Sequence, residues 1–162
     1  MIRLLVALVL VLAVSAGFGP ARADVLPDRG DAPGEVDNTV TQRNLDQTVC
    51  SPGYSSRARP PAAYTNRVKR QLAAEQGGLR VADYELDHLI PISLGGDPRS
   101  VRNLWLQPWS GACGAHAKDR LEYKLWRLVC QRKVGLGEAR SAIAEDWTAA
   151  YRRWVGPLVC EP

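Results

Sequence analysis

The side chains able to do hydrolytic chemistry gather in residues 84–119. Asp87 and His88 stand side by side, Gly95-Gly96 makes a bend, Asn103 opens an apolar run at Leu104, and His116 lies in AHAKDRLE. The chain has two histidines, and both fall in this stretch. Cutting a phosphodiester requires a nucleophile made from water, charge neutralisation at phosphate and help for the leaving oxygen. An imidazole titrating near neutral pH and a divalent cation held by carboxylate and imidazole supply these.

The order Asp-His-x-x-Pro, Gly-Gly, Asn-Leu, then a histidine opening a helix resembles the HNH endonuclease family, in the form of small secreted HNH-like proteins. The resemblance covers roughly residues 50–156 and is most specific from Asp87-His88 to Asn103. It implies His88 as general base, Asp87 and His116 as metal ligands, and Asn103 as the residue whose side-chain or backbone oxygen orients the imidazole. It also implies a ββα-metal core. The expected fold class is therefore α+β: a small HNH-like core with added flanking helices, stapled by disulfides.

Two features strain this pattern. The usual last position of the motif falls at Ala112, which has no donor atom, so His116 fits only if the insert 109–114 lengthens the motif. Asp119 is the alternative ligand, or else an acid favoured at a helix N-terminus. In addition, neighbours on a strand point to opposite faces. Asp87 and His88 can address one site only where the strand ends or bulges, and Pro91 makes such an exit plausible. One carboxylate and one imidazole form an open set suited to Mg²⁺ or Mn²⁺, with Zn²⁺ or Ni²⁺ tolerated through the imidazole.

The elements that must position these residues follow from periodicity. Residues 62–76 read as a helix with Val68 and Leu72 one turn apart and Gly77-Gly78 as its stop. Residues 84–90 and 101–107 read as short strands whose connection bends at Gly95-Gly96. A helix over 115–130 carries Leu121, Leu125, Leu128 and Val129. A second over 138–154 carries Ile143, Trp147, Ala150, Tyr151 and Trp154. Lys118, Arg120, Lys124 and Arg127 recur at helical spacing; Arg120 and Lys118 are the candidate substrate-binding cations. Trp105 and Trp109 are candidates for base stacking, with a core role as the competing reading.

The ends of the chain place it. Arg3, the apolar run 4–14 and Ala21-Arg22-Ala23 form a Sec-type signal peptide over 1–23, with cleavage predicted after Ala23. The eleven apolar residues are short of the ~20 that span a bilayer, so no stable membrane association is expected after cleavage. Residues 24–47, rich in acids, Pro and Gly, read as a disordered leader with net charge −4 over 24–46. Residues 48–162 form the nuclease-like domain; from 47 onward the net charge is +6. A basic domain suits a polyanion partner, DNA or RNA, and no obligate protein partner is evident.

The four cysteines, Cys50, Cys113, Cys130 and Cys160, all follow the cleavage site, and an even count in an exported chain indicates two disulfides. Three connectivities exist. Antiparallel packing of the last two helices favours Cys113 with Cys160, leaving Cys50 with Cys130. The sequence thus points to a secreted or periplasmic, metal-dependent endonuclease with little sequence preference. The competing reading is a non-catalytic module of the same shape that binds nucleic acid, another polyanion or a protein.

Overall fold

The computed structural model describes residues 25–160, so the signal peptide expected over 1–23 lies outside the described residues. The elements in chain order are α1 (Tyr54–Ala58), α2 (Ala62–Glu75), β1 (Tyr84–His88), β2 (Leu104–Pro108), α3 (Ala115–Cys130) and α4 (Leu136–Trp154). This is the α+β class, with four helices and one two-stranded sheet among the described residues. Pro61, extended at φ −57° and ψ 145°, leads into α2 without needing an N–H of its own. Gly77 and Gly78, both at positive φ, end that helix.

β1 and β2 pair antiparallel, from Tyr84 opposite Pro108 to His88 opposite Leu104. Strand alternation then sorts the ribbon into two faces. Tyr84, Leu86 and Leu106 pack with Leu72, Ala73 and Leu79, the cluster made with α2. Trp105 instead joins the main core with Leu121 and Leu125 of α3 and with Ile143 and Trp147 of α4. Both strands are shorter than the periodicity predicts. β1 stops at His88, and Val101–Asn103 is a 3-10 turn before β2. The cause is Asn103: its Oδ1 accepts from Ile90 N at 2.8 Å and its Nδ2 donates to Ile90 O at 2.9 Å, where a backbone ladder would otherwise continue.

Helices α3 and α4 run antiparallel. Arg120 near the start of one meets Tyr151 near the end of the other, its Nε donating to the phenol oxygen at 3.0 Å. The expected disulfides Cys50–Cys130 and Cys113–Cys160 are both formed. α4 is interrupted at Asp146 (φ −164°, ψ 98°), whose Oδ1 accepts from Thr148 N at 2.8 Å and Ala149 N at 3.0 Å. Asp146 therefore caps a second helical segment. That segment presents the fully buried Trp147, whose indole donates to Val25 O at 2.8 Å.

The described part of residues 24–47 corrects the expectation of a disordered leader. Ala32, Val40 and Leu45 are buried in the main core. Gly34 N and Glu35 N donate to Arg102 O, Asp97 N donates to Glu35 O, and Asp37 N donates to Gly95 O. These apolar residues have no period because the segment crosses the β1–β2 connection as a strap, with isolated anchors rather than a helical or strand face. Residues 48–61, which follow this strap, contain α1.

Gly96 is fixed by close approach. A Cβ there would run into the carbonyl oxygen of Ile90, a backbone atom unable to swing away, and into Asn103 Nδ2. Gly96→Ala is expected to destabilise the fold by about 2 kcal/mol or more, read as a lower urea midpoint. An unchanged midpoint would show that the bend tolerates a side chain.

Candidate functional site

The end of the ribbon sends Asp87 and His88 in different directions. His88, only 7 % exposed, directs Nε2 to the Pro98 carbonyl at 3.1 Å. A carbonyl can only accept, so Nε2 carries the proton, and in the neutral ring Nδ1 holds the lone pair. Burial lowers the His88 pKa below its ordinary 6.5, partly offset by the Pro98 carbonyl and by Asp87. The imidazole is therefore neutral at neutral pH and has one basic nitrogen.

Asn103, fully buried, makes no hydrogen bond to this ring among the described residues. Its Oδ1 takes Ile90 N, its Nδ2 reaches Ile90 O and Asp97 O (3.1 Å), and its backbone oxygen accepts from Leu89 N at 2.8 Å. The role expected for Asn103 as the oxygen that orients the imidazole is thus corrected: the Pro98 carbonyl does this. Asn103 braces residues 89–97, the loop that brings Pro98 into place.

Asp87 lies on the ribbon's other face. Its Oδ2 accepts from Trp105 Nε1 at 3.0 Å and lies 2.6 Å from Lys118 Nζ. Lys118 also pairs with Glu122 and donates to His88 O at 2.8 Å. The residue is fully buried. Burial alone would lower its pKa, but Asp87 and Glu122 outweigh that and raise it, so the ammonium stays charged. One cation between two carboxylates leaves an excess negative charge. Burial, aided by repulsion from Asp87, accordingly pushes Glu122 up to about 8 against the pull of Lys118.

This overturns Lys118 as a surface phosphate ligand. It falls three residues before Leu121 and seven before Leu125, on the stripe that faces the core. That spacing, with Glu122 one turn on, was the available signal for a buried ion pair. Arg120 is exposed and engages Tyr151 of α4 through its Nε and through its guanidinium, 5.5 Å from the ring centre. Trp105 is buried in the core, which removes it as a stacking surface. Trp109 stays 38 % exposed, its ring centre 6.0 Å from that of the exposed His116.

Two acids that sequence reasoning left aside or treated as secondary complete the neighbourhood. Glu85 shares the Asp87 face, opposite Gln107. Burial, with repulsion from Asp87 and Asp119, pushes Glu85 up to about 7. Burial and Asp87 likewise raise Asp119, against the pull of Lys118 and His116. Gln107 is 1 % exposed, and its Nε2 has no hydrogen-bond partner among the described residues. The alternation of the strand could have grouped Glu85 with Asp87.

These residues do not fit a resident divalent ion as arranged. Among the described residues, no group of three or more His, Cys, Asp or Glu side chains is placed to hold one. Asp87 already has a cation on Oδ2. What the arrangement provides chemically is a neutral, anchored imidazole on one face and a proton-rich carboxylate cluster around a buried ammonium on the other. No helix among the described residues is long and apolar enough to cross a membrane. Comparison of the chain with protein-family models, with curated proteins and with solved structures finds no match in any of the three.

Two outcomes follow from these charges. Lys118→Met leaves the partly buried carboxyl groups of Asp87 and Glu122 without their cation and is expected to cost about 3 kcal/mol of stability. Adding Asp87→Asn and Glu122→Gln should restore most of it in denaturant titrations; a triple variant no better than the single one would remove the ion pair as the cause. For Glu85, the folded state binds its proton more tightly than the unfolded state, whose pKa is near the ordinary 4.5. Stability contributed by this group therefore falls as pH rises from 4.5 toward 7. Glu85→Gln should melt higher than wild type at pH 8, with a smaller difference at pH 5. Equal differences at both would rule out the titration.

Proposed function

We propose that this chain is an exported endonuclease of HNH type that hydrolyses phosphodiester bonds of DNA or RNA, with His88 as general base. The observation that carries the reading is the His88 ring itself. It closes β1, is held neutral by burial, and is anchored through Nε2 to Pro98 so that Nδ1 remains basic. The succession of β1, β2 and α3, with His116 in the first turn of α3, agrees with the ββα order the resemblance implies. In the proposed reaction Nδ1 takes a proton from water as the water oxygen bonds to phosphorus. The bond from phosphorus to the leaving oxygen breaks, and that oxygen takes a proton from solvent.

The divalent ion that the resemblance implies, Mg²⁺ or Mn²⁺ with Zn²⁺ or Ni²⁺ as alternatives, would be held by Asp87 and His116 only once Lys118 releases Asp87 Oδ2, and it would supply charge neutralisation at phosphate. Two donors make a working set only when phosphate and water complete it. Export is supported by the two disulfides, which persist in oxidising compartments. The non-catalytic binding module is favoured by one observation, the engagement of Asp87 by Lys118, which balances the carboxylate without a metal.

The deciding experiment incubates the oxidised protein with plasmid DNA and with RNA in each of the four metals, beside EDTA and His88→Ala. Cleavage should fall at least about 100-fold in His88→Ala and disappear in EDTA. Because burial lowers the His88 pKa, the acid limb of kcat/KM should lie below pH 6.5. Folded protein that binds nucleic acid but never cuts it, in any metal, would establish the binding module instead. Cleavage undiminished in His88→Ala would remove His88 as base.

A further inference from the structure

We propose that Arg67 and Arg99, set around Tyr64, together with Arg59 at the end of α1, form the track that receives the sugar-phosphate backbone of a nucleic acid beside His88. The inference rests on the reading of His88 as a phosphodiester site and adds the surface that holds the substrate. Tyr64 on α2 donates its hydroxyl to the Arg99 carbonyl, which ties that helix to the loop carrying Pro98. The Arg67 guanidinium lies 5.5 Å from the Tyr64 ring centre and that of Arg99 5.6 Å from it. Arg59 caps the end of α1, close enough to His88 and Glu85 for its charge to act on both. Arg99 follows the residue whose carbonyl holds the imidazole.

Position beside the His88 loop sets this group apart from the other exposed arginines without an ion pair among the described residues, Arg29, Arg43, Arg57, Arg70, Arg120, Arg127 and Arg152. The exposed arginines Arg80, Arg102, Arg132 and Arg153 each take an acid: Asp83, Glu35, Asp46 and Glu138. Arg59, Arg67 and Arg99 are exposed too, yet none forms an ion pair among the described residues. Two like charges drawn to one aromatic ring gain only a modest cation–π contribution. Bringing them together without a carboxylate suits a partner that carries the negative charge itself. Guanidinium groups present paired donors to phosphate oxygens, and successive phosphates along a backbone match a row of cations rather than a single pocket. The ring, already flanked by guanidiniums, is not left free for bases, so the track grips backbone and does not read sequence.

The test uses the oxidised chain carrying His88→Ala, which separates binding from turnover. Its affinity for a labelled duplex is measured across a salt series. Each phosphate contact contributes about 0.9 to the slope of log K against log salt. Arg59→Gln/Arg67→Gln/Arg99→Gln should weaken binding at least about tenfold at low salt and flatten the slope by about 2–3. A control with the same charge loss on α3 and the turn after it, Lys124→Gln/Arg127→Gln/Lys133→Gln, should change neither by more than about twofold. Circular dichroism and thermal midpoints establish folding, and the three single variants, each flattening the slope by about 1, serve if the triple does not fold. Equal effects from both triples, or a slope unaltered by the first, would overturn the track. So would anionic vesicles held more tightly than the duplex through the same arginines. Arginine-dependent binding by a protein that never cleaves would leave the track standing while the nuclease reading fell.

Discussion

The ammonium of Lys118 is the contact on which the rest of the site depends. It joins Asp87 on β1 to Glu122 on its own helix and takes the backbone carbonyl of His88. One buried charge thus fixes the distance between the ribbon and α3 and the point at which β1 ends. Replacing such a pair by apolar groups of the same volume is often neutral or stabilising, whereas stranding one partner is costly. The pair therefore acts less as a source of stability than as a constraint on geometry. With Lys118 in place, the β1 backbone is held where His88 must turn toward Pro98.

The ribbon then behaves as a partition. One face gives Asp87, Glu85 and Gln107 to the side of α3, where burial and the neighbouring carboxylates raise the pKa values of Glu85 and Asp119. At its end the chain carries His88 away from Asp87, to a loop braced by Asn103 and by the strap of residues 32–45. The strap adds backbone hydrogen bonds to the loop that presents the Pro98 carbonyl to the imidazole. Bonds to Arg102, Gly95 and Asp97 anchor it from outside.

Much of this frame was legible in the sequence, and the reasons differ from residue to residue. The 115–130 helix matches its periodic apolar stripe, and α4 ends at Trp154 as the pattern of Trp147, Tyr151 and Trp154 suggests, although it begins at Leu136, two residues before the expected start. The disulfides followed from the antiparallel return of that helix. Hidden from sequence were features made by single side chains acting over long separations. Asn103 is expected as an orienter because the resemblance to the HNH family implies one, yet its amide is spent on Ile90 and Asp97. Lys118 reads as surface charge by type, although its spacing puts it inside. Residues 24–47 read as disordered because three buried anchors separated by polar residues have no period to detect.

The two disulfides also interleave. Cys113 lies inside the span closed by Cys50 and Cys130, and Cys130 lies inside the span closed by Cys113 and Cys160. Every peptide bond from residue 50 to residue 160 is therefore bridged by at least one covalent crosslink. A protease that nicks the chain once anywhere in that interval leaves both pieces joined, with the broken ends still held by the surrounding packing. For a chain with exposed loops, a single cut becomes a local wound rather than a severance, and two cuts in well-chosen places are needed to release a fragment.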